Sequence, residues 1–258
     1  MKLSIQSTLD YRFEQPTDLL LQVEAAIIPE QVVTDAFIEL SPTEHFARVV
    51  GHDQIGDRIW LRVAERLTVH YRAVVTTQRL LADISALRQV PMHLLPGETV
   101  EYLMPSRFCQ SDQCQHFVDG EFAGLEGGAR IDAIRAWVED KFSYVPGSTT
   151  AETTALDTFV KREGVCRDYA HAVVTLARAC GVPARYVSAY ALGVEPQDFH
   201  AVAEVFLDGA WHLVDATGMA QAAGIAKIGV GRDAADVSFL TAYGQSQYLN
   251  QQVWVSGE

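Results

Sequence analysis

The chain has 258 residues, 48% hydrophobic and 21% charged, with a net charge of −13 and four cysteines. It is long enough to bury a core without staples, and the acidic balance argues against nucleic acid or an anionic membrane as partner. Four cysteines with no CxxC make neither a disulfide scaffold nor a supported structural zinc site.

Residues 1 to about 82 read as strands. "LSIQSTLDYRF", "LLLQVEAAII", "VVTDAFIEL", "DRIWLRV" and "LTVHYRAVV" are rich in β-branched residues, and several alternate apolar with polar. Turn signals at Pro16, Pro29, Pro42, Gly51 and Gly56 separate them, which suggests an antiparallel sandwich. The N-terminus "MKLSIQSTLDYRF" lacks the apolar segment of a secretory signal, and no apolar run reaches the length of a membrane span. A cytoplasmic location is therefore expected. Residues 83 to about 127 are punctuated by proline and glycine and read as a transition. The expected division is an N-terminal β domain over 1–87 and a catalytic domain over 88–258.

From Ala129 the period becomes helical, with Ile131, Ile134, Trp137 and Val138 on one face. A second short helix covers "ETTALDTFVKRE", capped by Thr153 or Thr154, with Gly164 beyond its end. A third follows in "CRDYAHAVVTLARACGVP". Ala170, Val173, Val174, Ala177 and Cys180 line its apolar face, and Gly181 and Pro183 stop it. Then "RYVSAYAL", "HAVAEVFL" and "AWHLVDAT" return to a period of two.

Cys166 sits at the start of the third helix. The positive end of the macrodipole and free backbone N–H groups there favour a thiolate and can hold an oxyanion. Gly164 allows close backbone approach just before it. Cys180, near the other helix end, reads as core. A nucleophilic thiolate needs a base, and the base an orienter. Asp208-Gly209 between two alternating runs signals a two-residue hairpin. Leu207 then pairs with Ala210 and Val202 with Asp215, so His200 and Asp215 share a face one diagonal step apart. His212 falls on the other face, and a one-residue slip would reverse that choice. Glu204 shares the face of His200 and is a rival partner for it. The cysteine helix is expected to pack across the face that carries His200 and Asp215.

"GVCRDYAHAVVTLARACGVPARYVSAY" followed by "FHAVAEVFLDGAWHLVDAT" resembles the core of the transglutaminase-like superfamily over about residues 129 to 218. The strand-rich N-terminal region and "GRDAADVSF" resemble bacterial members that carry an N-terminal β domain. The resemblance implies an α+β fold: a papain-like core, with the cysteine helix packed on an antiparallel sheet, beside an antiparallel β-sandwich-like domain. It implies Cys166 as nucleophile, His200 as base and Asp215 as orienter, acting on a protein or peptide substrate. Animal members also use calcium, but no EF-hand-like acidic loop is legible here, so no cofactor or metal is expected. Tyr144 is the candidate second oxyanion donor, reaching in from the helix before the nucleophile, with Trp137 second. Asp168 fits a first-turn carboxylate that complements the helix dipole.

The function expected is a thiol-dependent hydrolase or acyltransferase acting on amides, most simply a cysteine peptidase. A crosslinking or deamidating transglutaminase uses the same three residues. A silent papain-like binding module is the alternative of another class, and selective alkylation of Cys166 separates it from an active thiolate.

Overall fold

The computed structural model describes residues 1–257. The chain opens with β1 (Lys2–Phe13), β2 (Thr17–Leu21), β3 (Gln31–Leu40), β4 (His45–Val50), β5 (Asp57–Val63) and β6 (Arg66–Thr77). Alternation decides their faces: Leu3, Ile5, Leu9, Tyr11 and Phe13 of β1 are buried, as are Leu67, Val69, Tyr71, Ala73 and Val75 of β6. They meet Leu19, Leu21, Ile59, Leu61 and Val63 from β2 and β5 in one core, so two antiparallel sheets form a sandwich.

Next come α1 (Gln115–Glu121), α2 (Gly127–Lys141), β7 (Ser143–Tyr144), α3 (Ala155–Lys161), β8 (Glu163–Gly164) and α4 (Cys166–Ala179). After them run β9 (Ala184–Ala191), β10 (His200–Leu207), β11 (Ala210–Val214), β12 (Ile225–Gly231), β13 (Leu240–Ala242) and β14 (Ser246–Gly257). The sheet orders are β14-β1-β6-β3, β13-β2-β5-β4 and β11-β10-β9-β12, with a parallel β7-β8 pair. The sandwich thus takes two strands from the far end of the chain, β14 on β1 and β13 on β2. Among the described residues, no helix is long and apolar enough to cross a membrane.

The short helix α3 shows how local the boundaries are. Thr154 Oγ1 accepts from the Asp157 N–H at 3.3 Å, and Asp157 Oδ2 accepts from the Thr154 N–H at 2.9 Å. That capping box selects Thr154 over Thr153. The helix stops at Arg162, whose φ of 59° is left-handed, with Gly164 beyond its end as expected. Thr154→Ala should cost about 1 kcal/mol in urea denaturation; an unchanged midpoint would mean that the cap is idle.

The β11-β10-β9-β12 sheet is covered on both faces, which explains the unbroken burial of β9, β10 and β12. One face receives Tyr169, Ala172, Val173 and Leu176 of α4 against Ala203, Val205, Leu207 and Val214. On the other, Val187, Ala189, Val202 and Leu213 pack together, while Tyr190 and Ala226, which alternate onto the first face, join the sandwich core with Ile228. That junction also carries charge. Glu204 is wholly buried and bonds Arg185 Nε at 2.7 Å and Lys227 Nζ. Arg185 reaches Asp53 at 2.7 Å, and Lys227 also bonds Glu30, so both cations tie the sheet to the segment 1–87.

Candidate active site

The hairpin forms in the expected register. Leu207 pairs with Ala210 and Ala203 with Val214, with Asp208-Gly209 as the two-residue turn. His200 opens β10 and Asp215 follows the last residue of β11, so both stand at the open end of the hairpin. His200 Nε2 donates to Asp215 Oδ2 at 2.9 Å. The carboxylate is fixed on every side: Oδ2 also accepts from the Ala220 N–H at 3.0 Å, while Oδ1 accepts from the Thr217 N–H at 2.8 Å and the Thr217 hydroxyl at 2.7 Å. These donors were not anticipated, although Asp-Ala-Thr is a recognisable Asx-turn sequence. Burial works to raise the Asp215 pKa, but the hydrogen bond and charge of His200 and the bonds from Thr217 hold it below the ordinary carboxylate value. His212 donates instead to the Leu207 carbonyl at 3.2 Å, beside the turn, and Glu204 is engaged by Arg185 and Lys227.

The cysteine helix does not pack across the face that carries His200, contrary to the expectation from the hairpin register. The strand alternation puts His200, Val202 and Glu204 on one face, yet α4 rests on the opposite one, against Ala203, Val205 and Leu207. Small residues at Ala201 and Ala203 let the helix lie close. Cys166 therefore meets His200 at the end of the sheet, where helix and strand both begin, and not across a sheet face. The thiol lies 4.0 Å from the Phe199 carbonyl and interacts with the His200 ring. Nδ1 of His200 is buried without a conventional hydrogen bond, since Nε2 is the nitrogen that Asp215 takes.

Electrostatics bind the three groups into a unit. Burial works to lower the His200 pKa, but the hydrogen bond to Asp215, the adjacent Cys166 thiol and the charge on both overcome it and lift it to about 9. A free imidazole titrates near ~6.5. This interaction therefore contributes stability that is fully present below that value and lost as pH rises through about 9. His171, on the buried side of α4, behaves oppositely. Burial, assisted by Arg167 and Arg178, lowers it to about 3, so it is a neutral core group, stacked on Phe108 at 5.2 Å.

The start of α4 is held by Asp168, wholly buried, whose Oδ2 accepts from the Val165 N–H and the Thr149 hydroxyl, both at 2.9 Å. Asp168 thus positions the helix start and faces no cleft. A side chain at Gly164 would put its Cβ 2.7 Å from that of Asp168, so only glycine lets the two segments approach. Tyr144 lies against both the thiol and the backbone N–H of Cys166; burial and the charge on Cys166 raise its pKa. It comes from strand β7, not from a helix. Trp137 is part of an aromatic core with Phe117 and Phe159, under the Arg162 guanidinium at 4.6 Å.

A cleft of about 370 Å³ opens over Cys166 and His200, walled by Tyr186, Ser188, Asp198 and Phe239. Gln251 of β14 also lines it and bonds Asp198, so the sandwich contributes to the site. The other thiols are elsewhere. Cys109 is fully buried and burial pushes it up to about 12; Cys180 is half-buried, closes α4 and is also raised by burial. Iodoacetamide at neutral pH should label Cys166 ahead of both, read by peptide mapping; earlier labelling of Cys180 would reverse the assignment of the two thiols.

A thiol at a helix start, an imidazole on a strand and a carboxylate on its neighbour define the papain-like class of thiol enzyme. Residues 116–216 match the model of the transglutaminase-like superfamily. A crystal structure described as a putative cysteine protease from Cytophaga hutchinsonii is 33% identical, with a TM-score of 0.94 over 99% of this chain and 90% of that one. An uncharacterized protein of Mycobacterium leprae is 28% identical over 184 residues, 67% of this chain and 66% of that protein. The chain thus spans just under two thirds of the length of that curated relative. The periplasmic domain of TgpA from Pseudomonas aeruginosa, bound to ethylmercury, is 19% identical over 82% of this chain and 76% of that one, with a TM-score of 0.42. The chain belongs to the transglutaminase-like superfamily, with the α+β fold of a papain-like core beside a β sandwich.

Proposed function

We propose that this protein is a cysteine peptidase in which Cys166 is the nucleophile, His200 the base and Asp215 the orienter. The observation that carries the reading is the Asp215–His200 bond at 2.9 Å beside the Cys166 thiol. Asp215 holds the proton on Nε2 and leaves Nδ1 to take the thiol proton. The thiolate attacks the carbonyl carbon of an amide. The oxyanion is received by the Cys166 N–H, which no helix carbonyl takes at the start of α4, and by the Tyr144 hydroxyl beside it. His200 returns its proton to the nitrogen as the C–N bond breaks, and the amine leaves. Water, deprotonated by His200, then cleaves the thioester and releases the acid.

The raised His200 pKa suits this sequence, because an imidazolium must persist until the leaving group departs. Activity should decline as pH rises through about 9, as that proton is lost. The test is mass spectrometry of a peptide mixture incubated with wild type and with Cys166→Ala. New peptide termini in the wild-type digest alone are expected. Conversion of glutamine to glutamate without new termini would move the reading to a deamidase, and identical digests would favour a binding module.

A further inference from the structure

Two hydroxyls in the wall of the cleft over Cys166 are left without work inside the fold. Tyr186 and Ser188 stand two residues apart on β9, so they share one face of the sheet. Both line the cleft, and each is only 6% exposed. Among the described residues neither hydroxyl has a hydrogen-bond partner, and neither oxygen is closed off from the cleft. Tyr190, next on the same face, is the contrast: its hydroxyl donates to the Val23 carbonyl at 2.7 Å and meets Ser7 at 2.9 Å. Small neighbours keep the place open. Ala201 pairs with Ser188 across β10, and Ala170 and Val237 pack beside Tyr186. Burial and the neighbouring Cys166 push the Tyr186 hydroxyl up, so it stays protonated and can donate. Buried hydroxyls take a partner, and here the open side is the cleft.

We propose that Tyr186 and Ser188 form a substrate subsite that selects a neutral side chain able both to give and to accept hydrogen bonds, a carboxamide first of all. The tyrosine hydroxyl can donate to the amide oxygen while the serine hydroxyl accepts from the amide nitrogen. A carboxylate would lose its water against Ala201 and Val237 without gaining a cation. The charged groups of the cleft are engaged elsewhere: Arg167 donates to the Thr150 carbonyl at 2.7 Å, and Asp198 accepts from the Phe199 N–H at 2.7 Å. The direction along the substrate rests on the peptidase reading. The leaving nitrogen must stand by His200, which alternates onto the face away from α4, whereas Tyr186 and Ser188 lie on the α4 face with Ala201. The subsite therefore takes the residue that supplies the attacked carbonyl.

Acetyl-dialanyl chloromethyl ketones ending in asparagine, leucine or aspartate test this, because they alkylate a thiol without needing turnover. Intact mass follows the labelling rate, with Cys166→Ala as the blank. The asparagine reagent should label Cys166 at least about tenfold faster than its leucine isostere, and faster than the aspartate one. Tyr186→Phe and Ser188→Ala each delete one hydroxyl and should bring the asparagine-to-leucine ratio down to about threefold or less. Loss of folded protein does not move a ratio. Discrimination among the reagents with no peptide cleaved would sink the peptidase reading and keep the subsite. Equal asparagine and leucine rates, a faster aspartate reagent, a ratio unmoved by both variants, or no labelling of Cys166 by any of the three would overturn the subsite, whether or not peptides are cut.

Discussion

Cys166→Ala should lower turnover by about four orders of magnitude or more while the melting midpoint stays within about 2 °C of wild type. The first half follows from covalent catalysis: no other side chain in the cleft can form the thioester. The second half follows from position. Cys166 is half-buried at the first turn of α4, with its sulfur 4.0 Å from the Phe199 carbonyl, and the helix is anchored elsewhere. Asp168 and the burial of Ala172, Val173 and Leu176 do that anchoring. His200→Ala should be nearly as severe in rate. Asp215→Asn should be milder, since an amide still accepts from Nε2 and orients the ring. A collapse of the melting midpoint in Cys166→Ala would show that the thiol is structural.

Glu204→Leu should destabilise the protein by roughly 3–5 kcal/mol, the usual cost of removing one partner from a buried ion pair. Here one carboxylate serves two buried cations, Arg185 and Lys227. Removing it leaves Arg185 with Asp53 alone and Lys227 with Glu30 alone, two acids that are themselves only partly buried. Adding Arg185→Met and Lys227→Met to the same chain should recover much of the loss, because the apolar replacement no longer buries uncompensated charge. Urea denaturation of wild type and the two variants reads the effect. A loss below about 1 kcal/mol for Glu204→Leu would mean that water reaches the network and screens it.

The meeting of Cys166, His200 and Asp215 was legible because they lie in short, strongly patterned segments. Asp208-Gly209 set the hairpin register, and the register brought His200 to Asp215 and excluded His212. The start of α4 was legible from Gly164, Cys166 and the apolar spacing that follows. What the sequence hid depends on distant partners. The return of β14 to β1 joins residues at opposite ends of the chain, and "SQYLNQQVWV" has no local feature that names its neighbour. Gln251 therefore entered the cleft unannounced. The face covered by α4 was misjudged because a sheet buried on both sides has no polar face to point the way. Glu204 looked like a rival for His200 for the same reason: its true partners, Arg185 and Lys227, are on neighbouring strands whose order was not legible.

The central claim is that Cys166, His200 and Asp215 act as one coupled unit, and an NMR titration of the His200 ring in wild type and in Cys166→Ala tests it most directly. The account predicts a midpoint near 9 in wild type. It predicts a fall toward the ordinary imidazole value in Cys166→Ala, where the thiol no longer supports the charged ring. A wild-type midpoint already near ~6.5, the free imidazole value, or one unmoved by removal of the thiol, would contradict it.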